Sequence, residues 1–341
     1  MQYLDQILAV FSDFADPKKR IFFGYLFLSL IIAFVWLLLV KRLKIKHASS
    51  KIFDKNVFLS RSAIADYKIY VINHFFSLFI SPLLLTQLAI ATSIYFALHN
   101  QSFIPQGYLD TSNVALVVGL FSLTMFVIDD LTKYLVHRWM HRVPILWSIH
   151  KVHHSAETLT PITVYRVHPL EGVLYGSRSA VAQGITLSVF FFLFGDMVNL
   201  YTVVGVNILV FVFHVTGSNL RHSHINISYW PWLERVLISP SQHQLHHSVA
   251  EEHFDKNFGA ALAIWDWLFG SLHLSEDSND LIFGLDPSEN SSATSLKTLY
   301  LGPVLEIKRI SVKAFKRGLA SCYQLIATAR EKSFDFIQRM S

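Results

Sequence analysis

Long apolar runs are the feature that most limits how this chain can fold. Residues 21–40 form an apolar run of twenty residues without a charge, which is long enough for one transmembrane helix. Of all 341 residues, 52% are hydrophobic and only 16% are charged, and the mean hydropathy is +0.39. Further apolar runs occupy residues 71–98, 114–128, 179–194 and 197–215. We therefore predict an all-α fold, a polytopic bundle of membrane helices.

The distribution of lysine and arginine predicts how these helices are oriented. Residues 41–70 hold eight of these cations, which places this connector in the cytoplasm, whereas residues 99–112 hold none and are expected outside. The run at 114–128 then returns the chain to the cytoplasmic side. A hairpin over residues 179–215 would begin and end on that side. The formal charge of +5 fits basic loops beside a membrane better than nucleic-acid binding.

Eight histidines fall into three short motifs with helical spacing. One motif is HxxxH and two are HxxHH, and their members are His137 and His141, then His150, His153 and His154, then His243, His246 and His247. Side chains three or four residues apart share one face of a helix. Imidazole is a good ligand for iron, copper, zinc and nickel, and eight imidazoles are too many for one four-coordinate zinc. The motifs predict a site for two metal ions on the cytoplasmic face.

Proline and capping residues predict where the helices that carry these motifs begin. Pro144 should separate the first motif from the second, because proline disfavours a helical conformation in the residue before it. Ser239, Pro240 and Gln242 are arranged as a capping box, which predicts a helix that starts just before His243.

Two carboxylates lie close enough in sequence to support the histidines. Asp130 shares a helix face with the first motif, and Glu157 follows the second motif by three residues. A metal-bound histidine usually donates its second N–H to a carboxylate or carbonyl. Both residues are therefore candidates for this role. The alternative is that they only pair with neighbouring cations such as Lys133, Arg138 or Lys151.

The ordered motifs resemble those of the fatty acid hydroxylase superfamily, which is also called the sterol desaturase family. The matching stretches read DLTKYLVHRWMHRVPILWSIHKVHHS, SPSQHQLHHS and DKNFGAALAIWDWLFGSL, and the resemblance spans roughly residues 70–275. Within the superfamily, the motifs are most similar to those of bacterial sterol-desaturase-like proteins and of alkylglycerol monooxygenase. The resemblance implies a membrane-bound di-iron, O₂-dependent oxygenase that hydroxylates or desaturates a fatty acyl, alkyl-glycerol or sterol chain.

The resemblance also implies a ligand set, a cofactor and partners. His222 matches an additional family histidine before the third motif and joins the eight as a predicted metal ligand, while His168, His214 and His224 remain alternatives. The implied cofactor is two iron ions, which zinc could replace in purified protein, and O₂ is the co-substrate. The electron donor would be external, either a redox protein or a pterin. The single cysteine, Cys322, excludes a cysteine-ligated iron–sulfur cluster.

Three regions follow from these observations. Residues 1–70 would form an anchor helix and a basic connector, residues 71–275 the catalytic membrane domain, and residues 276–341 a polar loop and a basic amphipathic tail. The tail is expected either on the cytoplasmic membrane surface or as a soluble helix. A histidine-rich membrane metal transporter or metal-binding protein is the alternative function. A metalloprotease of the HExxH type is not expected, because no His-Glu pair occurs in the chain.

Overall fold

The computed structural model is all-helical over the residues that it describes. These are residues 10–17, 19–80, 87–109, 113–195, 211–213, 215, 218–275, 281–286 and 294–340. Within those ranges, two isolated β-bridges, Leu237–Leu262 and Ser248–Phe283, are the only strand-like pairings, and no sheet forms. The sequence-based prediction of an all-α chain is confirmed to this extent.

The helices follow one another with short connections. In chain order they are α1 (Phe23–Leu39), α2 (Ile45–Ile52), α3 (Lys55–Phe58), α4 (Arg61–Ile80), α5 (Gln87–His99), α6 (Val114–Arg142), α7 (Pro144–His154), α8 (Pro169–Phe194), α9 (Pro240–His246), α10 (Ile264–Leu268) and α11 (Leu296–Met340). Single 3₁₀ turns lie at Pro161–Tyr165, Ser218–Leu220 and Glu251–His253.

Two of the described helices, α6 and α8, are long and apolar enough to cross a membrane. The helix α1 is apolar but shorter, with 17 residues, and so is the part of α5 from Ala89 to His99. The apolar run 71–98 contains the second half of α4 and all but the last residue of α5. Most of the predicted span 197–215 lies outside the described residues.

The helix α8 begins ten residues earlier than its apolar run indicated. Pro169 occupies the first helical position, and Nδ1 of His168 accepts a hydrogen bond from the Leu170 N–H at 3.2 Å, which caps the helix. The earlier start matters because it puts Glu171 in the first turn of α8.

The break between α6 and α7 is where proline predicts it. Helix α6 ends at Arg142, Val143 is extended with φ −99° and ψ 115°, and Pro144 begins α7. The two helices therefore meet at an angle, and each presents its histidine motif near the joint. Apolar packing fixes α6 against α8, with Val117, Phe121 and Met125 on one side and Phe190 and Phe194 on the other.

The long helix α11 docks on the rest of the protein through its first turns. Leu299 packs with Ile69 and Val152, and Lys151 Nζ lies 2.5 Å from Glu306 Oε2. Beyond this region, the side chains of residues 311–318 are exposed. The basic tail is therefore helical, while its position on a membrane surface stays a prediction.

Candidate metal centre

The structure brings the nine histidines that the sequence analysis named into two compact groups. The first group consists of His137, His141, His150, His154 and His246, and the second of His153, His222, His243 and His247. Within each group, one ring nitrogen of every member lies within 4.8 Å of those of all the others. The two HxxHH motifs are therefore each shared between the two groups rather than assigned to one.

The local sequence explains why the short helix α9 forms. Ser239 Oγ accepts from the Gln242 N–H at 3.1 Å, and Gln242 Oε1 accepts from the Ser239 N–H at 2.9 Å, so the predicted capping box is confirmed. A seven-residue helix is too short to be stable by itself. The cap and the complete burial of Pro240–His246 hold it in place.

Three histidines of the first group are fixed through their Nδ1 atoms. His137 donates to the Phe258 carbonyl at 2.8 Å and His246 donates to the Lys256 carbonyl at 2.7 Å. The Nδ1 atom of His150 lies 3.0 Å from Glu171 Oε1. An imidazole that donates from Nδ1 carries its free lone pair on Nε2, which is the atom left to bind a metal.

In the second group, a buried ion pair supports His153. The Nδ1 atom of His153 donates to the Arg166 carbonyl at 3.3 Å. The Arg166 side chain is fully buried, donates to the Val152 carbonyl at 3.0 Å, and pairs with Asp66 Oδ1 at 2.7 Å. The Arg166 guanidinium thus hydrogen-bonds to the last turn of α7, the helix that carries His153. This contact fixes α7 relative to the Arg166 carbonyl, which orients the His153 ring.

In the first group, two Nε2 atoms approach each other closely with no proton to share. His246 Nε2 lies 3.0 Å from His137 Nε2, and both rings donate from Nδ1. Two lone pairs at that distance repel each other unless a cation lies between them. In the second group, His222 Nε2 lies 3.0 Å from Nε2 of both His153 and His243.

Other buried ring nitrogens of the two groups have no hydrogen-bond partner among the described residues. They are Nε2 of His141, His150 and His154, Nδ1 of His222 and His243, and both ring nitrogens of His247. Leaving a buried polar atom unpaired costs about 1–3 kcal/mol. So many unpaired nitrogens in one place fit a site whose remaining partner is a metal ion, and imidazole suits iron, zinc or copper.

Burial keeps these rings neutral, which metal binding requires. Removal from water lowers the pKa of His153 to about 3, and the neighbouring His137 contributes to the same shift. Burial, followed by repulsion between neighbouring histidines, also lowers the pKa of other members well below its usual value. These are His150, His154, His222, His243, His246 and His247.

The two groups are immediate neighbours. The rings of His154 and His247 stack with their centroids 4.5 Å apart, and those of His153 and His150 are 5.5 Å apart. In each of these pairs, one ring belongs to the first group and one to the second. Metal ions held by the groups would therefore lie side by side.

The carboxylates predicted from sequence spacing do not support the histidines in the described structure. Asp130 instead accepts from the Ala261 and Leu262 N–H groups at 2.8 and 3.0 Å and from the Trp265 indole at 2.9 Å. Glu157 is exposed. Asp130 thus fastens the segment after the third motif to α6, and the carboxylate beside a histidine is Glu171, which the sequence analysis missed.

The segment DKNFGAALAIWDW acts as a clamp for His137. Asp266 accepts from the Phe258 N–H at 2.9 Å and from the Gly259 N–H at 2.7 Å, and the Phe258 carbonyl receives the His137 proton. A Cβ atom on Gly259 would lie 2.6 Å from the Leu262 carbonyl oxygen and 2.8 Å from Asp266 Oδ2. Glycine is therefore required at this close approach.

The remaining candidate histidines make other contacts or lie outside the described residues. His168 caps α8, and its Nε2 lies 3.1 Å from the Tyr300 carbonyl oxygen. His224 Nε2 lies 2.8 Å from the Lys51 carbonyl oxygen. His214 lies outside the described residues. Neither His168 nor His224 belongs to either group of histidines.

One cavity reaches the first group. It has a volume of about 280 Å³ and is lined by His141, His154 and His246 together with Trp147, Phe254 and Leu285. A substrate that approached through it would meet the first group.

The comparisons with known proteins agree with the motifs. Residues 122–271 match the family model for fatty acid hydroxylase. Alkylglycerol monooxygenase of Danio rerio is 29% identical over 156 residues, which are 46% of this chain and 31% of that protein. Delta(7)-sterol 5(6)-desaturase erg3C of Aspergillus fumigatus is 28% identical over 171 residues, 47% of this chain and 50% of that enzyme.

Ornithine lipid hydroxylase OlsE of Rhizobium tropici is 29% identical over 147 residues, 43% of this chain and 40% of that protein. The matched part thus covers half or less of these relatives' own lengths. No solved structure matches the chain. The matched residues carry all nine clustered histidines and the clamp around Asp266, and they are the part of the chain that is similar to the fatty acid hydroxylase family.

Proposed function

We propose that this protein is a membrane-bound oxygenase that uses O₂ and two iron ions to hydroxylate or desaturate a lipid. The observation that carries the proposal is the pair of adjoining, buried and neutral imidazole groups, with four of the nine rings oriented by hydrogen bonds through Nδ1. Relatives named as lipid hydroxylases, desaturases and monooxygenases support the lipid as substrate.

The nine histidines would hold the two ions, five imidazoles facing one and four facing the other. Iron bound there would supply the activation of O₂ that attack on an unactivated C–H bond needs. The protein orients the imidazoles through the Phe258, Lys256 and Arg166 carbonyls and the Glu171 carboxylate. Burial of the rings keeps bulk water from the reacting atoms.

The overall reaction needs electrons from outside the chain. Hydroxylation inserts one oxygen atom of O₂ into a C–H bond and reduces the other to water, which consumes two electrons and two protons. Desaturation removes two hydrogen atoms from neighbouring carbons and reduces both oxygen atoms to water, again with two external electrons. The donor would be a redox protein or a pterin.

The geometry of the two long apolar helices supports a site at one membrane face. The first histidine motif lies in the last turns of α6, and Glu171 lies in the first turn of α8. Two helices that cross a membrane in opposite directions would present these ends on the same side. With the basic residues 41–70 in the cytoplasm, we place the site on the cytoplasmic face of a multi-pass protein, with residues 71–275 as the catalytic domain.

The alternative of a metal transporter is less well supported. Transporters place their ligands at broken helices near the middle of the membrane, where the two states of the site can open alternately. Here the ligands of the first motif lie at the end of α6, and backbone carbonyls fix three of the rings. A cavity that reaches the first group fits the approach of a substrate.

The first experiment is to measure the metal content of anaerobically purified protein. We expect about two irons per chain in the wild type. We expect about one in His246→Ala, which removes a member of the first group, and about one in His153→Ala, which removes a member of the second. His47→Ala is the matched control, because this histidine is exposed on α2 and should leave both ions bound.

The second experiment follows the oxygen atom. Loaded protein supplied with ¹⁸O₂ and a reductant should transfer label to a lipid from a panel of alkylglycerols, sterols and aminolipids, and neither histidine variant should do so. A wild type without iron, or variants that keep both ions, would overturn the proposed site. Vesicles that accumulate metal without any dependence on O₂ would favour the transporter.

A further inference from the structure

A second cavity lies apart from the clustered histidines. It has a volume of about 540 Å³ and is bounded by α1, α4, residues 52–58, residues 160–162 and residues 220–225. Its walls are almost entirely apolar, and typical lining residues are Leu30, Ala33, Ile52, Phe58, Ile162 and Ile225. None of the nine clustered histidines is among its lining residues.

Two polar atoms in this apolar wall have no partner among the described residues. One is the hydroxyl oxygen of Ser29, a residue that is only 4% exposed on α1, and the other is Nδ1 of His224. The other described hydroxyl groups that line the cavity are satisfied, as with Tyr70, which donates to the Val10 carbonyl at 2.8 Å. Unpaired polar atoms in an apolar cavity point to a missing hydrogen-bonding partner.

The chemistry of the two atoms defines what that partner must offer. His224 Nε2 lies 2.8 Å from the Lys51 carbonyl oxygen, which can only accept, so Nε2 carries the proton and Nδ1 is an acceptor. The Ser29 hydroxyl can donate or accept. A hydroxyl group on a ligand can donate to His224 and accept from Ser29.

We propose that this cavity binds a lipid alcohol from the bilayer, a hydrocarbon chain or ring system with a hydroxyl group that donates to His224 Nδ1 and accepts from Ser29. The volume of about 540 Å³ lies within the usual range of roughly 300–1,000 Å³ for small-molecule sites. At about 30 Å³ for a group the size of water, it could hold on the order of 18 methylene-sized groups. That corresponds to one long alkyl chain.

This site is separate from the proposed reaction and does not depend on it. The bound lipid would contact Leu220 and Ser223, which flank His222 in the chain, without reaching the imidazoles of either group. A lipid bound in this cavity also explains why the sequence RHSH, residues 221–224, contains two histidines with different roles. His222 faces the second group, whereas His224 faces the apolar cavity.

Photolabelling tests the proposal in the full chain, reconstituted in nanodiscs of dioleoylphosphatidylcholine, a lipid without hydroxyl groups. The probe is hexadecan-1-ol with a diazirine in the middle of the chain, and labelled peptides are mapped by mass spectrometry. We expect adducts on the peptides that contain residues 26–33 and 220–225, because each range includes residues that line the cavity. Unlabelled hexadecan-1-ol should compete about 3- to 10-fold better than its methyl ether, which cannot donate a hydrogen bond.

Variants distinguish the contribution of the hydrogen bonds to lipid binding from that of the apolar cavity. His224→Phe should make the alcohol and the ether equal competitors, and Ser29→Ala should weaken the alcohol about 3- to 10-fold. Ala33→Phe should block labelling by filling the cavity. Ser93→Ala and His47→Phe are controls, because both residues are exposed outside this cavity and should change nothing.

Metal content measured on the same samples keeps this proposal distinct from the oxygenase assignment. Ser29→Ala should hold as much iron as the wild type. Equal competition by alcohol and ether in the wild type, or adducts that avoid the lining peptides, would overturn the lipid-alcohol site. A wild type without iron but with the expected labelling would leave this site standing and remove only the proposed reaction.

Discussion

Replacing Glu171 by glutamine tests the part of the site that the sequence analysis missed. The His150 Nδ1 and Glu171 Oε1 atoms are 3.0 Å apart, and both side chains are only 3% exposed. Glutamine has nearly the same volume and can still accept a hydrogen bond, so the substitution removes the charge with little change in packing. The polarisation of His150 by a full negative charge is lost.

The size of the effect follows from this geometry. A hydrogen bond to a charged group contributes about 1.5–3 kcal/mol, against about 0.5–1.5 kcal/mol for a neutral one. The difference of roughly 1–1.5 kcal/mol corresponds to about tenfold in metal affinity. The lost attraction between carboxylate and cation adds to it, and supporting residues of this kind typically change affinity by about 10- to 100-fold. We expect a loss within that range, confined to the first group.

A chelator titration measures this loss. Wild type and Glu171→Gln are loaded with Fe²⁺ without oxygen, equilibrated with increasing concentrations of a chelator of known affinity, and analysed for bound iron. One of the two ions should leave the variant at a lower chelator concentration than in the wild type. The other should not change, because Glu171 contacts a member of the first group only.

Glu157→Gln is the matched control, since this carboxylate is exposed. Its titration should follow that of the wild type. Identical curves for Glu171→Gln and the wild type would refute the supporting role of this carboxylate. Equal weakening of both ions in Glu171→Gln would mean that the substitution disturbs the whole site rather than one group.

Three further predictions concern the support of the rings and their protonation. Gly259→Ala should weaken iron binding at least about tenfold in a chelator titration, because its Cβ would lie 2.6 Å from a backbone oxygen in the clamp of His137; an unchanged titration would contradict the clamp. The free energy of unfolding of the metal-free protein should decrease as the pH falls from about 6.5 to 3. The pKa of His153 is about 3 in the folded protein and about 6.5 in the unfolded chain, so the unfolded chain binds the proton first, and the loss is up to about 1.4 kcal/mol per pH unit. Thermal unfolding at pH 5 and pH 7.5 checks this, and equal midpoints would refute it. Asp66→Asn should lower the free energy of unfolding by about 3–5 kcal/mol in a denaturant titration, because it leaves the fully buried Arg166 without its ion-pair partner, and a change below about 1 kcal/mol would show that the pair is unimportant.

The sequence predicted what depends on spacing and missed what depends on contacts between distant segments. Helical periodicity was enough to place His137 with His141, and a capping box was enough to begin α9 at Pro240. Proline similarly marked the joint between α6 and α7. Each of these rests on interactions within a few residues, which a single sequence displays directly.

The supporting residues were not accessible in the same way. Glu171 lies 21 residues from His150, and nothing in the local pattern links the two. Asp130 is at helical spacing from the first motif, but it accepts hydrogen bonds from residues more than 130 positions away. The division of the histidines into two groups was also not predictable from the sequence. His153 and His154 are adjacent in sequence but belong to different groups, because neighbouring side chains on a helix diverge by about 100°.

The same division has a consequence for the order in which the protein can be assembled. The first group takes four of its five members from residues 137–154, whereas the second takes only His153 from that stretch and needs His222, His243 and His247. A growing chain therefore produces most of one ligand set roughly ninety residues before it completes either. During biosynthesis, metallation of the first position can precede that of the second. A chain truncated before His222 would leave His153 as the only second-group imidazole.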